Sequence, residues 1–144
     1  MADRLGSAQA GVVARRQLLE SGITKWALRR AIDSGRLELI LPGVMRLPGS
    51  PRSEEQRLWA AYLRVGPESV ISHGSSARLW GLKSIEQCRP TLVVPHRLSP
   101  RVGSELIVHR SRCLDDIDVD AVAGLPVTSP ARTLVDLSLS LIHI

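Results

Sequence analysis

The chain has 144 residues, 44% hydrophobic and 23% charged, which is enough apolar content for a packed core and excludes a wholly disordered chain. It has no apolar run long enough for a membrane span, no secretory leader pattern in "MADRLGSAQAGVVARR" and only two cysteines (Cys88, Cys113) without paired spacing, so a cytoplasmic protein is expected. The net charge of +5 is uneven: residues 1–50 hold eight Lys/Arg and four acids, while the remaining ninety-four hold eleven and ten.

In chain order, a short helix is expected over Asp3 to Ala10, ended by Gly11. "GVVARRQLLESG" reads as a turn followed by a helix over Ala14 to Glu20. A tight turn at Gly22 leads to Thr24, an N-cap for a helix over Lys25 to Ser34, and Gly35 is suited to closing it. Two helices joined by about four residues including a glycine have helix-turn-helix spacing. "RLELIL" and "VMRL", on either side of Pro42-Gly43, then read as a β-hairpin. The expected fold class is α+β. A winged helix-turn-helix over residues 1–49 is followed by a small α+β domain over 50–144, with the joint near Leu47–Ser53.

In the second segment, Ser53 caps a helix over Glu54 to Val65 that buries Leu58, Trp59, Tyr62 and Leu63. "ESVIS" is strand-like, and Ser72 is expected to cap a helix burying Leu79, Trp80 and Leu82. "TLVVP", "ELIVHRS" and "LPVTS" are strand candidates, and "SPARTLVDLSL" is a helix with Ser129 as N-cap and Pro130 in its first turn. The closing "SLSLIHI" is an apolar ending for a helix, so either a chain cut short at its C-terminus or a non-native ending is expected.

A helical wheel sorts the residues after Thr24. Leu28, Ala31 and Ile32 fall on one side, and Lys25, Trp26, Arg29, Arg30 and Asp33 on the other. A cationic helix of this kind fits the major groove of duplex DNA, where Arg and Lys bond guanine edges and phosphates. Trp26 either interleaves with those charges or tucks partly into the core. Arg36 opens the hairpin and Arg46 lies near its end, positions suited to flanking phosphates. Arg15 and Arg16 stand where the first helix of such motifs crosses the backbone. A solvated charged face is the plain alternative for Lys25, Arg29 and Arg30.

"GVVARRQLLESGITKWALRRAIDSGRLELILPGVMRLPG", followed by "ISHGSSARLWGL", "IVHRSRCLDDI" and "GLPVTSPARTLVDL", resembles the AbiEi-type antitoxins of type IV toxin–antitoxin systems, in particular their actinobacterial relatives. The resemblance spans about residues 8 to 137. It implies a winged helix that binds promoter inverted repeats and represses its own operon. It also implies a C-terminal region that counters a nucleotidyltransferase toxin without a stable complex. By position, Lys25, Trp26, Arg29 and Arg30 match the family's recognition helix and Arg36 its wing, and the capping residue Thr24 is counted with them among the expected DNA-binding residues. Inverted repeats imply a dimer on DNA, since one recognition helix reads one half-site. Many such relatives carry a domain like the very-short-patch-repair nucleases further on, which leaves a nuclease-linked protein as an alternative, beside a protein-interaction module.

No catalytic, metal or cofactor site is expected. A nuclease motif with an acid two residues before a lysine is absent, since Ile23 and Gly81 stand there ahead of Lys25 and Lys83. "DDIDVDA" is read as a solvated acidic loop, because from Asp116 the calcium-loop glycine would be Ala121 and the closing glutamate Val127. Cys88, His96, His109 and Cys113 lack zinc-knuckle spacing. Ser72–His73 lies outside any nucleophile-elbow motif, with His73 read as a structural or an interaction residue, and Arg132 with Asp136 is read as an intrahelical pair.

Overall fold

The computed structural model describes residues 2–82, 85–86 and 89–142. Lys83 and Cys88, which enter the nuclease and zinc considerations, lie outside the described residues, as do residues 143–144. The chain forms two compact units, Met1–Arg64 and Val65–Ile144, of mixed α and β structure.

The first unit runs α1 (Ala2–Ala8), β1 (Val12–Ala14), α2 (Arg15–Glu20), α3 (Lys25–Asp33), β2 (Glu38–Leu41), β3 (Val44–Arg46) and α4 (Glu54–Val65). Its sheet is antiparallel in the order β1-β3-β2. Val13 and Leu39 both pair with Met45, and an irregularity between Leu39 and Leu41 adjusts the register before the Pro42-Gly43 turn. Val13, Leu18, Leu28, Leu37 and Met45 form the core, with Leu5, Ile23, Ala31 and Ile32 around it. With no Phe in the chain, branched aliphatics fill this space.

Two sequence expectations change here. "GVVA" is not only a turn: Val12–Ala14 is a strand, because β3 supplies its hydrogen-bonding partner from thirty residues along. The boundary also falls after Arg64 rather than at residue 49, so α4 belongs to the first unit. Side chains explain this. The Gln56 amide donates to the Ala10 carbonyl at 2.9 Å and to Ser50 Oγ at 3.1 Å, and Arg16 donates to the Leu63 carbonyl at 2.8 Å. Ser53 caps α4 as expected, its Oγ accepting from the Gln56 amide at 3.1 Å.

The second unit runs β4 (Val70–Ile71), α5 (His73–Leu79), β5 (Thr91–Pro95), β6 (Ile107–Ser111), a 3-10 turn (Asp116–Asp118), β7 (Val119–Val122), β8 (Leu125–Thr128) and α6 (Pro130–Ile142). The sheet order is β6-β5-β4-β8-β7, with β5–β6 and β4–β8 parallel and β4–β5 and β7–β8 antiparallel. The middle strands are the apolar ones: Ile71, Leu92, Val93, Val94, Leu125 and Val127 are buried, while β6 and β7 at the edges carry Arg110 and Asp120.

Three expectations are corrected in this unit. The acidic stretch is a 3-10 turn leading into β7, because β8 pairs with Val119–Val122. Ser72 makes no capping bond to α5; its hydroxyl meets His73 Nδ1 at 2.9 Å. Leu79 is half-buried, and Trp80 and Leu82 are exposed, because α5 turns its small residues inward. Ser76, Thr128 and Thr133 join there in a buried hydroxyl triad at 2.7–2.9 Å, which lets α5 and α6 lie close.

Candidate nucleic-acid interface

The candidate interface is built around α3. Gly22, at φ +101, turns the chain between α2 and α3, and the Ile23 amide donates to the Leu18 carbonyl at 3.1 Å. Thr24 Oγ1 then accepts from the Ala27 amide at 3.1 Å, so Thr24 holds the helix start from its capping position. At the other end, the amides of Ser34 and Gly35 bond the carbonyls of Arg30 and Ile32, and Gly35 takes φ +81. Leu28 is buried, and Ala31 and Ile32 are half-buried against the core. That anchorage fixes the helix rotation, so Lys25, Trp26, Arg29, Arg30 and Asp33 all lie exposed on the opposite side.

The basic residues named from the sequence fall into two groups. Lys25, Arg29, Arg30, Arg15 and Arg36 are exposed, and none of their side-chain N–H groups is bonded to a protein acceptor among the described residues. Arg16 and Arg46 are engaged. Arg16 is exposed too, but one of its donors, Nη1, is held by the Leu63 carbonyl at 2.8 Å. Arg46, its side chain only 14% exposed, donates to Glu38 Oε2 at 3.1 Å through Nε, pairs with the same carboxylate through Nη2, and reaches the Ser50 carbonyl at 3.2 Å. The hydrogen bonds from Arg46 hold the Glu38 carboxyl below the usual glutamate range. Arg46 is therefore a brace of the hairpin rather than a free hand.

Trp26 is 69% exposed, which removes the reading of it as a core residue. The Arg30 guanidinium lies over its ring, 4.7 Å from the centroid. Beside Arg30, a hollow of about 200 Å³ is lined by Ala27, Ala31, Ser34 and Arg36. The outer side of α3 thus offers an aromatic surface, three cations and a cationic hollow, with Asp33 the single acid on that face.

A second cluster, in the Val65–Ile144 unit, escaped sequence reasoning. His73, at φ +54, stacks on His109 of β6 with ring centroids 4.2 Å apart. Arg132 donates to Asp136 Oδ1 at 3.0 Å, Asp118 Oδ2 at 3.1 Å and Ser111 Oγ at 3.1 Å, and also bonds the Cys113 carbonyl. Asp136 Oδ2 is buried without a hydrogen-bond partner. Burial, then the neighbouring His109 and Arg132, hold His73 below the ordinary imidazole range against the opposing pull of Asp136. Only the Arg132–Asp136 spacing was visible beforehand; the rest comes from other elements, with His109 and Ser111 on β6, Asp118 at the end of the 3-10 turn and His73 at the start of α5.

His96, His109 and Cys113 do not converge. His109 is taken by His73, and His96 Nε2 lies 3.4 Å from Arg112. Among the described residues no group of three or more His, Cys, Asp or Glu could hold a metal, and no helix is long and apolar enough to cross a membrane. The chain matches no protein-family model and no curated protein.

Proposed function

We propose that the first unit is a winged helix-turn-helix that binds duplex DNA, with α3 in the major groove and β2–β3 as the wing. The observation that carries this reading is the exposed side of α3, where Lys25, Arg29 and Arg30 have no protein acceptor while a capped, core-anchored helix holds them on one face. A solvated face would serve as well for solubility. The order of elements, α1-β1-α2-α3-β2-β3, with the hairpin directly after α3, favours the DNA reading. In this assignment Arg15 and Arg36 reach flanking phosphates, and Thr24 positions the helix start.

On the resemblance of its motifs to AbiEi-type antitoxins, the chain acts as a transcriptional regulator in a toxin–antitoxin operon. It represses that operon at inverted repeats as a dimer, and opposes a nucleotidyltransferase toxin without a stable complex. The interaction-module reading has one observation in its favour, the exposed Leu134, Val135, Leu139 and Ile142 on α6. No catalysis is assigned to these residues.

Titration of the chain against the DNA upstream of its own gene, with a random duplex as control, tests the proposal. Tight binding to the upstream duplex alone is expected. Weak binding that is equal for both duplexes would overturn it and promote the interaction module.

A further inference from the structure

The exposed face of α3 holds more than positive charge. Phosphate neutralisation needs only cations, and a large indole left mostly in water has no role in it. Trp26 and Arg30 sit one helical turn apart at i and i+4, and the guanidinium already lies over the ring. A guanidinium with one face on an aromatic surface keeps its in-plane fork free, the arrangement needed for two parallel hydrogen bonds to one base edge. Lys25 and Arg29 have no such support and are suited to phosphates.

We propose that Trp26 and Arg30 read DNA sequence as a pair: Arg30 bonds O6 and N7 of a guanine, and the exposed indole of Trp26 packs against the 5-methyl group of a neighbouring thymine. Guanine is the base that offers two acceptors on its major-groove edge, and thymine is the one that offers a methyl group there. The inference rests on the DNA-binding reading and gives it a base step. The stacked geometry supplies the reason: the indole restrains an otherwise flexible arginine before binding, so less rotamer freedom is lost on contact.

The intact chain is used to select from a randomised duplex library, and the enriched site is then resynthesised with the thymine beside the guanine replaced by deoxyuridine. That change removes a single methyl group. The wild-type chain is expected to lose about fourfold in affinity, the worth of about 0.8 kcal/mol for burying one such group. Trp26→Ala should bind both duplexes equally, and Trp26→Phe should keep part of the difference. Arg30→Ala should lose roughly 5- to 150-fold of the preference for guanine. An enriched site with no thymine beside a guanine overturns the proposal, as does methyl discrimination that survives Trp26→Ala. Enrichment that Arg29→Ala/Arg30→Ala destroys but Trp26 does not influence overturns this pairing and leaves DNA binding standing. No enrichment of any sequence overturns both.

Discussion

Binding that runs through the free cations must carry their number in its salt dependence. Five basic side chains near α3 lack protein acceptors among the described residues: Arg15, Lys25, Arg29, Arg30 and Arg36. With Arg30 placed on a base edge, the other four are left for phosphates, and at about 0.9 counterions released per phosphate neutralised they give a slope of log K against log salt near −3.6. Between 50 and 200 mM salt that is roughly a 150-fold loss of affinity. Arg29→Ala/Arg30→Ala should lower the slope to about −2.7, a loss of about 40-fold over the same range. Arg16→Ala/Arg46→Ala removes the same formal charge, yet those guanidiniums are already bonded to the Leu63 carbonyl, Glu38 and the Ser50 carbonyl. It should leave the slope nearly unchanged and instead cost about 1–3 kcal/mol of stability in urea unfolding. Fluorescence anisotropy on one labelled duplex at four salt concentrations measures all three proteins. If the second pair lowers the slope as much as the first, free and engaged arginines are equivalent and the assignment of α3 fails.

Gly11→Ala should destabilise the first unit more than Gly22→Ala, by at least about 1 kcal/mol in thermal unfolding. Both glycines have positive φ, but a Cβ at Gly11 would lie 2.4 Å from Ser50 Cβ, whereas nothing lies within 4 Å at Gly22. Arg132→Ala should cost about 3–5 kcal/mol, because it strands Asp136, whose side chain is only 9% exposed, with both oxygens unpaired. Arg132→Lys should recover less than half of that loss in urea titration, since an ammonium cannot span Asp136, Asp118 and Ser111 together. His73 is held below its unfolded imidazole value, so the unfolded chain takes up its proton first as pH falls. Stability of the second unit should therefore be level above about pH 6.5 and decline below it. Hydrogen exchange at β4–β6 amides at pH 7.5 and 5.5 reads this, and His73→Asn, which tolerates φ +54, should flatten the decline.

What the sequence made legible was local. The Thr24 cap, the α3 wheel, the Ser53 and Ser129 caps and the Arg132–Asp136 spacing all rest on residues within one helical turn, and each holds in the fold. What it hid depended on partners far along the chain. Val12–Ala14 is a strand because Val44–Arg46 lies beside it, and Val119–Val122 because Leu125–Thr128 does. Charge hid the most. Eight basic residues in the first fifty look alike in sequence, yet Arg46 and Arg16 are absorbed by acceptors eight and forty-seven positions away, while Lys25, Arg29 and Arg30 are not. A basic patch read from composition thus overstates the number of cations available to a ligand. The difference between a structural arginine and a binding arginine is whether its donors are already used. On that criterion the helix that begins at Thr24 keeps its hands free, and the hairpin that ends at Arg46 has spent one of its own in holding Glu38. On the proposed DNA-binding reading, the hairpin's contribution to affinity should accordingly come from Arg36 at its start, and far less from Arg46.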